Sequence, residues 1–205
     1  MSKKMYISFV LDETGSMQSC KQQTISGFNE YIKTLKDEKN SKDMIFTLTK
    51  FNSEKIDVVF DGVKINKVVP LSDETYQPNA MTPLYDAIGK TIRSLEASIN
   101  SKKQSVLVVI QTDGEENYSK EYDSKDIFSL IDEKKKSGWT FAFLGADQDA
   151  WIASQRMGIS RGNTMSYNSN ETAQTFTAVA AASVNYARHG GKQTANLFDA
   201  DDKTA

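Results

Sequence analysis

Tyr6-Ile7-Ser8-Phe9-Val10-Leu11, followed at once by Asp12-Glu13-Thr14-Gly15-Ser16-Met17, is the stretch that decides the fold. Its first half mixes aromatic and β-branched residues without a helix period, as a buried strand does. The period then changes. Ile25, Phe28, Ile32 and Leu35 recur at spacings of three and four among polar residues, an amphipathic helix that begins between Ser16 and Lys21 and ends by Lys39. A strand handing over to a helix is the repeating unit of an α/β sheet, and here the hand-over is made of oxygen-bearing side chains.

The unit recurs along the chain. Met44–Phe51 and Lys55–Phe60 are short β-rich runs around Asn52-Ser53-Glu54, a hairpin that adds one antiparallel edge strand, and Val63–Val69 is a further extended piece. Residues 70–81 hold turn formers and no periodicity. Thr82-Pro83 then starts a helix, with a hydroxyl at the N-cap and Pro at the first helical position, and Leu84, Ile88, Ile92, Leu95 and Ile99 supply its apolar stripe. Gln104–Thr112, apolar throughout from Val106 to Ile110, has the composition of a central parallel strand. A third helix around Ile127, Leu130 and Ile131 ends at Gly138, and Trp139–Leu144 is the next strand. A short helix over Asp147–Met157 and a strand over Asn163–Tyr167 follow, and Asn168–Glu171 offers a cap for the last amphipathic helix, Thr172–Arg188. The prediction is α/β: a doubly wound, mainly parallel sheet of about six strands with helices on both faces. Residues 1–189 form one domain. Residues 190–205 are read as a flexible polar tail in which only Leu197-Phe198 has a means of docking.

Composition narrows the function. The 205 residues carry 25 Lys+Arg against 27 Asp+Glu, a formal net charge of −2, which argues for neither a nucleic-acid binder nor a ligand of anionic membranes. The one tight cationic run, Lys134-Lys135-Lys136, suits the end of a helix. A single cysteine, Cys20, excludes an intramolecular disulfide, and a single histidine, His189, leaves little from which to build a zinc site or a hydrolytic triad. The N-terminal apolar run is broken by Asp12 and reads as a strand, not a secretory signal. No stretch approaches the length of a membrane span, so the expected compartment is the cytoplasm.

In doubly wound sheets, ligands gather at the carboxyl ends of the strands, where strand order reverses. That geometry brings Asp12, Thr14, Ser16, Thr82 and Asp113 together. Two carboxylates and three hydroxyls are a ligand set for a small hard dication, Mg²⁺ first, with Mn²⁺ or Ca²⁺ possible. Gly15 and Gly114 let the backbone bend beside these ligands. A cation held by so few charges stays electron-poor and favours one more anionic ligand, which a carboxylate from another molecule can supply. Asp12, Ser16 and Thr82 are each also preferred helix caps, and singly that explanation is the better one. All five donors at successive strand–helix junctions favour the cation.

The wording Asp12-x-Thr14-x-Ser16, then Thr82-Pro83-Leu84-Tyr85-Asp86-Ala87-Ile88, then Thr112-Asp113-Gly114 resembles the von Willebrand factor type A domain over about Met5 to Arg188. The resemblance implies a metal-ion-dependent adhesion site in which those five positions hold the cation. It also implies a non-enzymatic module that binds an Asp or Glu of a partner protein. Thr14 stands where adhesion-receptor members more usually have Ser, and Glu13 where they often have Gly. The Thr-Gly-Ser-Met wording is closer to intracellular bacterial or phage-encoded members. Glu13, Met81, Tyr85 and Glu115 are candidates for a rim that touches the partner, while Glu115-Glu116 and Asp147/Asp149 read first as solvated or capping groups. Cys20, Trp139 and Trp151 read as packing residues. Some members of the family couple metal occupancy to docking of the last helix, and Thr172–Arg188 is amphipathic enough to take that part.

Two other functions stay open at this stage. A metal-dependent phosphatase or nuclease also places acids and Mg²⁺ at a strand end. Thr14 stands where an aspartyl-phosphate enzyme needs a second carboxylate, and a two-metal nuclease needs Glu13, Glu115 or Glu116 turned inward. A structural or assembly subunit with a stabilising metal is the other.

Overall fold

The spacing of apolar residues converts directly into layers. In the computed structural model, which describes residues 4–99, 104–146, 150–167 and 172–198, Ile7, Phe9 and Leu11 alternate with Val10 across the first strand, β1 (Met5–Asp12). The two sets enter separate buried clusters on opposite sides of the sheet. On one side Phe9 meets the rings of Phe28, Tyr31 and Phe176 at centroid distances of 5.3–5.8 Å. Those rings belong to α1 (Lys21–Asp37) and α5 (Thr172–Arg188). Burying one such aromatic side chain is worth roughly 2–3 kcal/mol. Gly27 is what lets the two helices close: a Cβ there would lie 2.4 Å from the Phe176 ring.

The other face is covered by α2 (Leu84–Ser98), α3 (Ser124–Lys136) and α4 (Ala150–Arg156). Their stripes, among them Ile88, Ile92, Ile127 and Ile131, pack on Val10, Val106, Val108, Ile110 and Phe143. The remaining strands are β2 (Met44–Phe51), β3 (Ile56–Lys64), β4 (Ser105–Thr112), β5 (Trp139–Ala146) and β6 (Thr164–Tyr167). Their order is β3-β2-β1-β4-β5-β6, with β2–β3 the one antiparallel pair. This is the architecture expected from sequence, including the antiparallel edge. Chain order moves outward from β1 to β2 and β3, then returns to the far side of β1 to lay down β4, so the reversal falls between β1 and β4. Leu11 pairs with Gln111 across it, which sets Asp12 beside Thr112.

The first helix falls within its expected bounds, whereas two later segments differ from the expectation. A 3-10 turn, Gly15–Cys20, precedes α1, and its buried Met17 and Cys20 stand three apart, the period of that tighter helix. The extended piece expected after residue 63 is the end of β3 followed by another 3-10 turn, Ile65–Lys67. Residues 190–198 are packed where a tail was expected. Asn163 Nδ2 donates to Thr194 O (2.8 Å), Asn163 Oδ1 accepts from Leu197 N (2.7 Å), and Leu197 is buried. Polar composition suggested a tail, but Asn163, Thr140, Ser160 and Gly162 supplied partners for its backbone. Residues 199–205, Asp147/Asp149 and the cap expected at Asn168–Glu171 lie outside the described residues. Among the described residues no helix is long and apolar enough to cross a membrane.

Candidate metal centre

Asp12 ends β1 fully buried. One carboxylate oxygen accepts from Thr14 N (2.8 Å) and the other from Thr112 Oγ1 (2.5 Å). Burial strips water from this carboxyl and raises its pKa from 3.8 to about 7; the bonds from Thr112 and Thr14 pull the other way, and the charge of Asp113 pushes up with burial. The chain then turns so that Thr14 Oγ1 lies 3.2 Å from Ser16 Oγ, which donates to Asp113 Oδ1 (2.6 Å). A Cβ added at Gly114 would sit 3.3 Å from both Ser16 Oγ and Thr82 Oγ1, so these hydroxyls border one small volume beneath that glycine. Asp12 and Thr14 form the floor of this site, Asp113 is half-buried, and Ser16 faces solvent.

The five residues singled out in the sequence therefore stand around one point at the reversal between β1 and β4. The donor set fits a hard dication: hydroxyl and carboxylate oxygens only, one side open for water or a further ligand. Among the described residues no three or more His, Cys, Asp or Glu side chains are grouped to hold a metal. A centre built here would depend on hydroxyls for most of its protein ligands.

Thr82 does not cap its helix as expected. α2 starts at Leu84, and no side chain of the residues just before it caps it. The free amides of its first turn are met from the loop after β4 instead: Tyr85 N donates to Glu116 Oε2 (2.9 Å) and Asp86 N to Ser119 Oγ (3.0 Å). Thr82 N donates to Asn117 Oδ1 (2.8 Å), and Asn117 N returns a bond to Thr82 O. Asp86, buried in the first turn of α2, accepts from Lys120, Glu121 and Tyr122 amides. This zipper leaves the Thr82 hydroxyl outside the capping pattern, beside Gly114. Glu116 is a cap, as its composition suggested, but for a helix distant in sequence.

Glu13 is corrected as a rim residue. It is 3% exposed and ion-paired with Lys50 Nζ at 2.7 Å, itself buried. Its carboxylate also accepts from Gln77 N (2.8 Å), while Lys50 donates to Thr75 O (2.5 Å). The reason is local: the loop over residues 70–81 folds down on the Asp12–Ser16 turn and shuts Glu13 beneath it. Tyr76 OH donates to Asp12 O, Asn79 N to Glu13 O, and Gly15 N to Ala80 O. Ala80 adopts φ +62, a left-handed conformation that a non-glycine residue holds only when its neighbours enforce it. Met81, 45% exposed, and Glu115 do face solvent, and Tyr85 is half-buried.

Thr112, Asn117, Ser119, Tyr76 and Lys50 all shape the site and escaped sequence reading, and Glu116 was read only as a solvated or capping group. Only Thr112, beside Asp113 at a strand end, carried any signal. Their partners lie 31–100 positions away along the chain.

No protein-family model matches the sequence, and no curated protein matches it. Solved structures do. The vWF domain of the type V pili tip protein Mfa5 from Porphyromonas gingivalis superposes with a TM-score of 0.69 at 11% identity, covering 95% of this chain and 98% of that one. The fold is von Willebrand factor A-like. Manganese-loaded TRAP protein from Plasmodium vivax gives a TM-score of 0.58 at 16% identity over 84% of this chain and 71% of the other. Proximal thread matrix protein 1 from the mussel byssus gives 0.60 at 13% over 87% of this chain, which spans about half of the mussel protein (46%). At such identities the likeness is one of A-like fold.

Proposed function

We propose that this chain is a non-enzymatic binding module that holds Mg²⁺, with Mn²⁺ or Ca²⁺ as substitutes, and uses it to capture an Asp or Glu carboxylate of a partner protein. Asp12, Thr14, Ser16, Thr82 and Asp113 would hold the ion. Bound there, it supplies a Lewis-acidic vertex for a partner oxygen. The observation that carries this is the convergence of five oxygen donors from three segments on the solvent-facing side of Ser16 and Asp113. The manganese in the TRAP structure supports a dication in this fold, and the pilus-tip neighbour supports a role in protein contacts.

The hydrolase alternative loses its extra acids. Glu13 is neutralised by Lys50, Glu116 is engaged by four donors, and Glu115 points to solvent. His189 stands next to Gly190, which accepts a bond from Ser105 at the start of β4, the opposite end of the sheet from Asp113.

Calorimetry with Mg²⁺ and Mn²⁺ tests the proposal, with Asp12→Ala as control. Saturable binding in the wild type and none in the variant is the expected pair. Wild-type protein that takes up neither ion at millimolar concentration overturns it, and turnover of a generic phosphoester lost in Asp12→Asn would restore the enzyme.

A further inference from the structure

A cavity of about 640 Å³ opens beside the centre, between the carboxyl ends of β4 and β5 and the helices α2 and α4. Asp113 and Gly114 line it as well as the candidate metal centre, so the two spaces adjoin. Buried Leu84, Phe143, Ala150 and Met157 close it from below, while Tyr85 and Ile152 form its lip. Ile152 leaves 50% of its surface in water.

The charges around the cavity do not call for a charged occupant. Glu116 is saturated by the amides of Tyr85, Tyr118 and Ser119 and by the Ser119 hydroxyl. Asp113 belongs to the oxygen cluster, and Glu115 and Arg156, of opposite sign, lie on the same lining. Leu84, Phe143, Ala150, Ala153 and Met157 still give the walls a continuous apolar share beside these polar groups, with Tyr85 and Ile152 at the lip, and the size accepts a large side chain.

Resting on the cation reading above, we propose that this cavity is the second recognition point for the same partner. It takes a large apolar side chain, Leu, Ile, Met, Phe or Trp, from the segment whose carboxylate meets the cation. Three extended residues span ~10 Å, and the shared wall at Asp113-Gly114 confines the acid and the apolar side chain to such a stretch. Carboxylates are common on protein surfaces. The adjoining apolar side chain is what gives the module its choice among them.

The probe is a display library of short random linear peptides, selected on the full chain in Mg²⁺ and eluted with EDTA. The expected consensus is an acidic residue with a large apolar residue within three positions. Ala153→Trp, which fills the cavity, and Ile152→Asp, an exposed change that spares the core, should each weaken the selected peptide at least about tenfold. Both should leave calorimetric Mg²⁺ affinity and the melting temperature unchanged. An acidic consensus lacking the apolar residue, or full peptide affinity in both variants, overturns this inference and leaves the cation reading standing. Mg²⁺ binding without any EDTA-sensitive peptide also overturns it. Absence of Mg²⁺ binding removes both.

Discussion

Replacing Asp12 by Asn should have opposite effects with and without metal. Without metal, the buried carboxyl has its pKa raised from 3.8 to about 7, so the folded state holds a proton that the unfolded chain releases. Below pH 3.8 both states are protonated and the group contributes nothing. Between 3.8 and 7 the fold loses stability as pH rises, and above 7 the penalty is complete. A shift of about three units corresponds to about 4 kcal/mol at 1.36 kcal/mol per unit. Asn has nearly the same shape and no charge, and its Oδ1 can still accept from Thr14 N. Its amide must donate to Thr112 Oγ1, which already engages Gly114, so part of the gain is lost. Asp12→Asn in EDTA at pH 8 should then be more stable than wild type by about 2–4 kcal/mol, a rise in Tm of about 5–15 °C for a chain of this length. The advantage should vanish towards pH 4. With Mg²⁺ at a hundred times its Kd, the wild type gains about 2.7 kcal/mol and the variant none. Differential scanning fluorimetry at pH 4 and 8, with EDTA or Mg²⁺, reads all of this. A variant less stable than wild type in EDTA at pH 8, or one that Mg²⁺ still stabilises, would refute the assignment of Asp12 as a buried, cation-facing carboxylate.

Lys50→Met leaves Glu13 buried without its counter-ion, and denaturant unfolding should show a loss of about 3–5 kcal/mol, with faster hydrogen exchange at the Gln77 amide. Gly114→Ala puts a methyl group 3.3 Å from the Ser16 and Thr82 hydroxyls; calorimetry should find Mg²⁺ affinity at least about tenfold weaker while Tm moves by only a few degrees. The hydrogen bond from Arg188 holds the Glu38 carboxyl below its ordinary 4.5, so the pair stabilises the fold above that pH and the contribution is lost as pH falls below it. Arg188→Ala should therefore lower stability at pH 7 and converge with wild type under acid, followed by urea melts across that window.

The order of strands and helices, the antiparallel edge and the five converging oxygen donors were legible in the sequence, because each depends on local physics. A period of two or 3.6 residues decides which faces are buried, and a strand–helix junction places its polar residues at the carboxyl end of the sheet. What only the tertiary structure decided is which polar groups serve each other across the chain. Glu13 was a candidate for the partner-facing rim, yet Lys50 pairs with it under a folded-down loop. Thr82 looked like a cap because a hydroxyl before Pro usually is one, yet Glu116 and Ser119 cap α2 from another loop. The 190–198 segment looked free for lack of apolar residues, yet Asn163, Thr140, Ser160 and Gly162 hold it. Hydrophobic pattern is written residue by residue along the chain, whereas a buried polar group needs a particular partner, and that partner exists only once distant segments have been brought together.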